Sequence, residues 1–440
     1  MVEPTIVPRS SHPISRRQVD HDALKVLYRL HEHNYTAYLV GGSVRDLLLD
    51  RRPKDFDVGT SAHPHQVKKL FRNCWIIGRR FRLAHVKFGP KTIEVATFRR
   101  HVDAAATSEQ ELAEADSTDI VAPGEPLPDE EREAAAARRH RDRLIHRDNT
   151  YGTPEEDAFR RDFTVNAVFY DIATFSIIDY VGGLQDLHSR LIRCIGDPDV
   201  RFLEDPVRML RAVVLAARLE FTIDEPILES ITLHKHEISA SAPARLLEEY
   251  FKILRSGHAA EAFRQLRTTG LLKAITPELA AAPDSFWRAI AALDRYRSTF
   301  EGTPDTLTNA VLAGTLLHPL GLAGRRQRFA ADPLERRVEL GLLPIPRRDI
   351  ERLQQIIGLQ HRLLDIQAPP RAQRALLHRS SFPEALTWLE VHGDRPELVA
   401  HWRHLHAQSA PQPHPASEGP PVGPYQRRRR RRRRPRLPYA

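Results

Sequence analysis

The spacing of apolar residues in the first half of the chain predicts a mixture of helices and strands. Apolar side chains every three or four positions indicate a helix, whereas alternation or a short apolar run indicates a strand. Helices are therefore predicted at residues 20–34, 62–71, 155–172, 184–188 and 198–219. Strands are predicted at residues 38–40, 56–58, 75–77, 83–88, 92–98, 177–180 and 191–195. Together these elements predict a mixed sheet flanked by helices.

From residue 221 onward the pattern predicts helices only. They are expected at residues 241–255, 259–268, 285–296, 306–317, 333–340, 347–357, 372–377 and 382–392. The first of these has Pro243 near its start and Gly257 after its end, the usual order of helix-delimiting residues. The fold class predicted for the whole chain is α+β, with an all-helical second part.

Two glycines mark the start of a candidate phosphate site. Gly41 and Gly42 follow the end of a predicted strand, and they permit a tight turn that a ligand can approach closely. Ser43 is predicted to cap a helix over residues 44–49, whose first N–H groups would face an anion above the glycines. Arg45 adds a positive charge in the first turn of that helix.

Two carboxylates follow at a spacing that suits a metal ion. Asp55 and Asp57 are two positions apart at a predicted strand, so their side chains are expected to point the same way. Carboxylate oxygens are hard ligands, which suit Mg²⁺ better than Zn²⁺. Glu94 is a candidate third carboxylate, as a metal ligand or a proton acceptor, and an exposed strand position is an equally good interpretation of it.

In combination these motifs resemble those of a known family. GGSVRD at residues 41–46, followed by DFD at residues 55–57, is similar to the signature of the class II nucleotidyltransferases. That family comprises the bacterial poly(A) polymerases and the CCA-adding tRNA nucleotidyltransferases. Residues 70–74 and 78–86 resemble the poly(A) polymerase branch in particular. The resemblance implies a nucleotidyltransferase palm followed by helical neck and body domains.

The resemblance also implies a role for RRDFTVNA at residues 160–167, which is similar to the second motif of the family. In the poly(A) polymerase branch the aspartate of this motif is one of three essential carboxylates. By that resemblance Asp162 is catalytic and Arg161 contacts the nucleotide. The alternative is that Asp162 forms a structural ion pair on a helix.

A third motif, EDPVRMLR at residues 204–211, resembles the base-selecting motif of the family. Asp205 and Arg208 are three positions apart and would share a face of the predicted helix, with Arg211 one turn further on. A carboxylate beside a guanidinium presents acceptors and donors to the edge of a base. An intrahelical ion pair is the alternative interpretation.

The predicted site residues fall into two groups. The catalytic residues are Asp55, Asp57 and Asp162, and two Mg²⁺ ions, with Mn²⁺ as an alternative metal, are expected on Asp55 and Asp57. The nucleotide-binding residues are Gly41, Gly42, Arg45, Arg161, Asp205, Arg208 and Arg211.

Composition narrows the class of protein. Of the 440 residues, 41% are hydrophobic and 28% are charged, and no apolar run approaches the length of a membrane span. The two cysteines, Cys74 and Cys194, have no metal-ligand spacing and do not form a disulfide framework. These features predict a cytoplasmic protein without a membrane partner.

Charge indicates a polyanionic partner. The net charge is +9, and residues 427–436 alone contain nine arginines. Residues 63–100 contain ten lysines and arginines with Glu94 as their one acidic residue, whereas residues 103–157 contain sixteen acidic residues against six arginines. A basic surface beside the candidate site and a basic tail both favour a polyanionic partner, which the family resemblance implies is RNA.

Changes in composition divide the chain into five predicted regions. Their order is a mobile N-terminal arm, a catalytic palm, a neck that binds the base and RNA, a helical RNA-binding body, and a disordered tail rich in proline and arginine. Their predicted bounds are residues 1–19, 20–180, 181–257, 258–405 and 406–440, and residues 101–147 form a flexible insertion in the palm.

The predicted function is template-independent addition of AMP from ATP to single-stranded RNA 3′ ends, with RNA-decay proteins as further partners of the tail. One alternative is the CCA-adding tRNA nucleotidyltransferase, which differs in base selection and product length. A second alternative is an inactive RNA-binding protein on the same scaffold.

Overall fold

The computed structural model describes residues 3–78, 82–100, 150–323 and 339–409. The predicted insertion at residues 101–147 and the arginine-rich tail lie outside the described residues. So does most of the helix predicted at residues 333–340.

Eight strands form one mixed sheet in the order β1-β8-β7-β2-β3-β6-β5-β4. They are Thr5–Val7 (β1), Ala37–Val40 (β2), Asp57–Thr60 (β3), Cys74–Ile77 (β4), Leu83–Phe88 (β5), Lys91–Thr97 (β6), Val168–Asp171 (β7) and Ser176–Asp179 (β8). Only the pair β3 and β6 is parallel among these neighbours. The predicted mixed sheet is therefore confirmed.

Five helices in the described ranges accompany the sheet. They are His21–Glu32 (α1), Gly42–Leu48 (α2), Pro64–Leu70 (α3), Pro154–Phe159 (α4) and Gly183–Ser189 (α5). Helix α1 buries Ala23, Val26, Leu27 and Leu30 against the sheet, in the three-and-four spacing that predicted it. The face of the sheet covered by α1 and α3 is therefore part of the core.

The helix predicted at residues 155–172 is wrong beyond its first turns. Helix α4 ends at Phe159, a 3₁₀ turn covers Thr164–Asn166, and Val168–Asp171 is a strand between β2 and β8. All four residues of β7 are buried. A central strand covered on both faces has a continuous apolar run, and such a run can be mistaken for one face of a helix.

The N-terminal segment expected to be a mobile arm contains an edge strand. Strand β1 pairs antiparallel with β8, and Ile6 lies opposite Ile178. His12 Nε2 lies 2.8 Å from the carbonyl oxygen of Phe175, and Ile14 is fully buried. Strand pairing, the His12 contact and the burial of Ile14 together hold residues 5–14 against the sheet.

The second part of the chain is helical, with two short strand pairs. The strand predicted at residues 191–195 is found over its first two residues, and the other three short strands were not predicted. The helices are Pro198–Glu204 (α6), Val207–Leu219 (α7), Glu225–His234 (α8), Pro243–Arg255 (α9), Ala259–Thr268 (α10), Leu271–Ile275 (α11), Pro277–Ala280 (α12), Asp284–Ser298 (α13), Asn309–Leu317 (α14), Arg347–Leu363 (α15), Pro370–Leu377 (α16), Phe382–His392 (α17) and Pro396–Ser409 (α18). The strand pairs join Leu191–Ile192 (β9) to Thr222–Ile223 (β10) and Glu339–Leu340 (β11) to Leu343–Pro344 (β12). The predicted α+β class is confirmed.

Helix α18 was not predicted from the sequence, and it extends the helical region to Ser409. Trp402 on this helix is fully buried, and its Nε1 donates a hydrogen bond of 2.8 Å to the carbonyl oxygen of Leu363. None of the helices in the described ranges combines the length and apolar character that crossing a bilayer requires.

Strand β7 provides a test of the corrected assignment. Phe169 is fully buried between Tyr38 and Tyr180, so Phe169→Ala is expected to lower the free energy of unfolding by about 3–5 kcal/mol. Urea unfolding followed by circular dichroism measures this change. Phe300→Ala is the control, because that ring is 37% exposed and its loss should cost well under half as much. Equal effects of the two variants would contradict the position assigned to β7.

Candidate active site

The two glycines form a sharp turn between β2 and α2. Gly41 has φ +71°, a conformation that favours glycine, and it precedes the first residue of α2. A Cβ on Gly41 would lie 3.2 Å from Nη1 of Arg161, and one on Gly42 would lie 3.2 Å from Nη2 of Arg45. Glycine at both positions therefore lets two guanidinium groups lie directly against the backbone of the turn.

Ser43 does not cap this helix as predicted, because α2 already begins at Gly42. Its Oγ donates a hydrogen bond of 3.0 Å to the carbonyl oxygen of Val40 instead. This bond ties the first turn of α2 to the end of β2. The hydroxyl therefore stabilises the turn itself.

Arg45 is buried beside the turn and does not lie on the surface. Its Nε and Nη2 donate to Oδ1 of Asp46 at 2.8 and 2.6 Å, and its Nη1 donates to Oδ1 of Asn166. Burial lowers the pKa of Arg45, an effect that Asp46 partly opposes. Arg218 of α7 contacts the other oxygen of Asp46 at 3.2 Å. The predicted triphosphate contact of Arg45 stays a prediction.

Asp57 is the first residue of β3, and it lies opposite Val40, the residue before the glycine turn. Asp55 is exposed and precedes the strand, so it does not share the strand geometry that the sequence predicted. Glu94 lies beside Asp57, because Val58 pairs with Val95 in the parallel register of β3 and β6. The structure therefore brings three carboxylates together next to the turn.

The electrostatics of Asp57 reflect this crowding. Burial and then the negative charges of Glu94 and Asp55 raise its pKa to about 6, while Arg161 acts in the opposite direction. A divalent cation at this position would relieve both the repulsion and the loss of hydration.

The donor set fits magnesium better than a metal held by protein ligands alone. No group of three or more His, Cys, Asp or Glu side chains in the described part of the chain lies close enough to bind an ion by itself. Mg²⁺ is typically held by one or two carboxylates together with waters and substrate phosphates. Asp57 and Asp55 provide such an incomplete set of oxygen ligands.

Arg161 is held in place from three sides. Its Nη2 lies 2.8 Å from Oδ2 of the buried Asp157, and its Nη1 donates to the carbonyl oxygen of Asn166 at 3.0 Å. Its guanidinium carbon lies 5.2 Å from the centre of the Phe169 ring. Burial acts to raise the pKa of Asp157, but Arg161 and Arg160 outweigh burial, so that pKa is lowered. The guanidinium is thus fixed beside Gly41 before any ligand binds.

Asp162 lies in a different cluster from Asp57. Its Oδ1 accepts from Nε of Arg208 at 2.9 Å, and its Oδ2 contacts Nη1 of Arg211 at 2.6 Å. The carboxylates that raise the pKa of Asp57 are Glu94 and Asp55, and Asp162 is not among them. The catalytic role predicted for Asp162 stays a prediction, and Glu94 is the third carboxylate that the fold places beside Asp57.

The predicted continuous helix over residues 198–219 is broken at Asp205 and Pro206. Asp205 has an extended backbone with φ −148°, because the ring of Pro206 clashes with a helical conformation of the residue before it. Asp205 and Arg208 therefore do not share a helix face. Both oxygens of Asp205 instead accept from Arg245 in the first turn of α9, at 2.8 and 2.6 Å.

Arg208 on α7 forms hydrogen bonds with residues of α6 as well as with Asp162. Its Nη1 donates to the carbonyl oxygen of Arg201 at 2.8 Å and to Oε2 of Glu204 at 2.9 Å. Burial opposes the charge of Arg208, but Asp162 and Glu204 outweigh it and raise the pKa. Its Nη2 donates to no described residue, which leaves one edge of the guanidinium available to a ligand.

Comparison with known proteins finds similarity along most of the chain. Three family models match successive parts of the chain: the Poly A polymerase head domain at residues 37–193, the Probable RNA and SrmB- binding site of polymerase A at residues 220–282, and the Polymerase A arginine-rich C-terminus at residues 334–436. The chain belongs to the poly(A) polymerase family. The first model contains every site residue discussed above up to Asp162, and the second contains Arg245.

Relatives in this family differ in their degree of similarity. The chain is 48% identical to Poly(A) polymerase I of Salmonella typhi and 45% identical to that of Escherichia coli, each over 62% of this chain and 54% of the relative. The chain thus spans about half the length of these poly(A) polymerases. A CCA-adding enzyme of Bacillus pumilus is 31% identical over 68% of this chain and 63% of its own length.

Two solved structures have a fold similar to that of this chain. The CCA-adding enzyme of Bacillus stearothermophilus in complex with CTP has a TM-score of 0.57 at 25% identity, covering 88% of this chain and 82% of that chain. A tRNA nucleotidyltransferase complexed with a primer tRNA and an ATP analog has a TM-score of 0.51 at 21% identity, covering 87% and 98%. The second likeness bears on the fold alone.

Two residues at the site were missed by the sequence analysis. Asp157 is part of an acidic run at the start of a predicted helix, and its carboxylate pairs with Arg161 four positions later. Arg245 is 40 positions from Asp205, and nothing local links the two. A signal for Asp157 was present, because a carboxylate four positions before an arginine on a helix favours an ion pair.

The raised pKa of Asp57 predicts how stability depends on pH. The protonated carboxyl is favoured in the folded state, so its contribution is lost as pH rises from the ordinary value of 3.8 to about 6. In EDTA above about pH 7, Asp57→Asn should therefore unfold at a higher temperature than the unaltered protein, and below about pH 4 this gain should vanish. Thermal unfolding at several pH values measures the difference.

Added Mg²⁺ should reduce the difference in unfolding temperature between Asp57→Asn and the unaltered protein, since an ion that binds the folded state stabilises it by mass action. We expect added Mg²⁺ to raise the unfolding temperature of the unaltered protein and to leave Asp57→Asn unchanged. Asp305→Asn, at an exposed carboxyl far along the chain, is the control and should respond to Mg²⁺ as the unaltered protein does. A magnesium response that survives in Asp57→Asn would argue against this metal site.

Proposed function

We propose that this chain adds AMP from ATP to the 3′ ends of RNA without a template. The observation that carries the proposal is the cluster of Asp57, Asp55 and Glu94 beside the turn at Gly41, with Arg161 against the turn. Carboxylates that need a cation lie next to guanidinium groups that suit a polyphosphate. This is the combination that nucleotidyl transfer requires.

Each residue has a distinct part in the proposed reaction. The backbone of Gly41 and Gly42 allows the triphosphate close to Arg161, which Asp157 already holds in position. Mg²⁺ ions bound at Asp55 and Asp57 would neutralise the triphosphate and activate the RNA 3′-hydroxyl. The hydroxyl attacks the α-phosphorus in line and pyrophosphate leaves, so the protein contributes mainly position and charge.

Selection of the base is assigned to Asp205, Arg208 and Arg211. Arg208 keeps Nη2 for the edge of the base, and the contacts of its other nitrogens with Asp162, Glu204 and the Arg201 carbonyl restrict its rotation. A guanidinium fixed in this way can prefer adenine by geometry, because a base with the wrong edge leaves a buried donor unpaired.

Relatives favour ATP as the nucleotide. Identity is 45–48% to the two poly(A) polymerases and 31% to the CCA-adding enzyme. The likeness to a CCA-adding enzyme bound to CTP keeps C and A addition to tRNA as the second candidate. An inactive RNA-binding protein is less consistent with the presence of Asp55 and Glu94 beside Asp57.

Incubation of the protein with a generic RNA, Mg²⁺ and each nucleoside triphosphate in turn distinguishes these functions. Long ladders with ATP alone would support the proposal. Short addition of C and A confined to tRNA would replace it with the CCA-adding activity. No extension of any RNA would overturn it in favour of an RNA-binding protein.

Removal of either metal-binding carboxylate tests the chemistry. Asp55→Ala and Asp57→Ala should each reduce AMP incorporation by at least about a thousandfold, because charge neutralisation of the triphosphate depends on them. RNA affinity, measured by filter binding, should stay within about twofold. Asp305→Ala is the matched control and should retain full activity. Incorporation at the unaltered rate in both site variants would rule the site out.

The arginine-rich tail lies outside the described residues, and its role follows from its charge. Deletion of residues 427–436 removes nine arginines, so RNA binding should weaken and its logarithmic salt dependence should become shallower. Binding titrations at several salt concentrations give this slope. An unchanged slope would exclude the tail as an RNA contact. Its contact with RNA-decay proteins and a cytoplasmic location stay predictions.

A further inference from the structure

The edge of the sheet opposite β1 carries an exposed aromatic side chain that the proposed chemistry does not use. Strand β4 is the last strand of the sheet, and its Trp75 and Ile77 are 50% and 49% exposed. Cys74, which points to the other face, is buried. A large aromatic and an aliphatic side chain together on an edge strand form an apolar surface that suits a ligand.

Strand register connects this edge to the carboxylate cluster. Trp75 lies opposite His85 on β5, and His85 lies opposite Glu94 on β6. Glu94 is in turn the neighbour of Asp57, as the register of β3 and β6 requires. Residues directly opposite one another point to the same face, so these four side chains form one row across the sheet.

The length of the row and the chemistry of its side chains can both be described. Adjacent strands are about 4.8 Å apart, so the Trp75 side chain lies roughly 14 Å from that of Asp57 across three strand spacings. His85 Nε2 lies 3.6 Å from Oε1 of Glu94. Along the row the side chains change from carboxylates through an imidazole to an indole.

Positive charge accompanies the aromatic end of the row. Nζ of Lys87 lies 5.2 Å from the centre of the Trp75 ring, and Lys87 is on the same face of β5 as His85. Arg72, two residues before β4, is exposed. Exposed aromatic rings beside lysine and arginine are how proteins bind single-stranded nucleic acid, by stacking bases and neutralising phosphates.

We propose that Trp75, His85 and Lys87 form a track for the single-stranded RNA that ends at Asp57. This inference rests on the proposed function and extends it by assigning the path of the acceptor strand. The 3′-terminal nucleotide lies at the carboxylates, the chain then crosses β6 and β5, and a base a few nucleotides upstream stacks on Trp75. Lys87 contacts a phosphate there.

RNA suits this surface better than a protein does. The row is continuous with the carboxylates where the 3′-hydroxyl must lie, and the basic side chains are at the far end, where phosphates of the acceptor would pass. Stacking on an indole tolerates any base, which an enzyme acting on many RNA ends requires.

Primer length gives the sharpest test. With a primer of about eight nucleotides, Trp75→Ala should raise KM for RNA about tenfold, with KM for ATP and kcat within twofold of the unaltered protein. Trp75→Phe should restore most of the affinity. A dinucleotide primer does not reach the edge strand, so it should be extended equally by both proteins.

Ile6→Ala is the matched control, because Ile6 is another exposed apolar side chain, 60% exposed, on β1 at the opposite edge of the sheet. Its KM for RNA should be unchanged. An unchanged KM in Trp75→Ala would overturn the track, and so would a rise that is equally large for the dinucleotide.

Fluorescence separates failure of the track from failure of the proposed function. Trp75 is the most exposed of the four tryptophans, since Trp388 and Trp402 are buried and Trp287 is half-buried. Oligo(A) in EDTA should quench the unaltered protein and not Trp75→Phe. This result would support the track even if no RNA were extended, and unquenched fluorescence with RNA bound would overturn it even in an active enzyme.

Discussion

The concentration of negative charge around Asp57 is the constraint on which the arrangement of the site depends. Three carboxylates converge where β2, β3 and β6 lie side by side, and the pKa of Asp57 is raised to about 6 because burial and its neighbours disfavour ionisation. Such a site is unfavourable in the fold alone. A divalent cation bound at these carboxylates would offset their repulsion, and the hydrophobic core beneath β3 and β6 keeps Asp57 and Glu94 from moving apart.

Around Asp57, each of three arginine side chains is paired with a carboxylate of its own. Arg45 is paired with Asp46, Arg161 with Asp157, and Arg208 with Asp162. Each pair fixes a guanidinium before a ligand arrives, so little rotational freedom is lost on binding. Asp46 also contacts Arg218 on α7, which links the glycine turn to the helix that carries Arg208 and Arg211. The residues proposed to bind the triphosphate and those proposed to select the base are thus joined through one helix.

What could be predicted from the sequence was local in origin. The glycine turn, Asp57 and the strands β4, β5 and β6 follow from short-range patterns, and each is found within a residue or so of its expected position. Strand β7 was mistaken for a helix because its burial on both faces removes the alternation that identifies a strand. The position of Asp162 beside Arg208, and of Asp205 beside Arg245, depends on long-range packing that no local spacing records.

The helix break at Pro206 shows how long-range packing affects the residues proposed to select the base. On an unbroken helix Asp205 would point along α7 with Arg208, and the two would neutralise each other at short range. The proline instead turns the Asp205 backbone outward, where its carboxylate meets the first turn of α9 and the bidentate guanidinium of Arg245. A helix N-terminus also favours that negative charge. Asp205 Oδ1 also accepts from the backbone N–H of Val207, the first residue of α7, at 3.3 Å. Asp205 is thus held by α9 and by the start of α7, whereas Arg208 is held by Asp162 and Glu204. The spacing of the two groups that would read a base therefore depends in part on how α9 packs against α7.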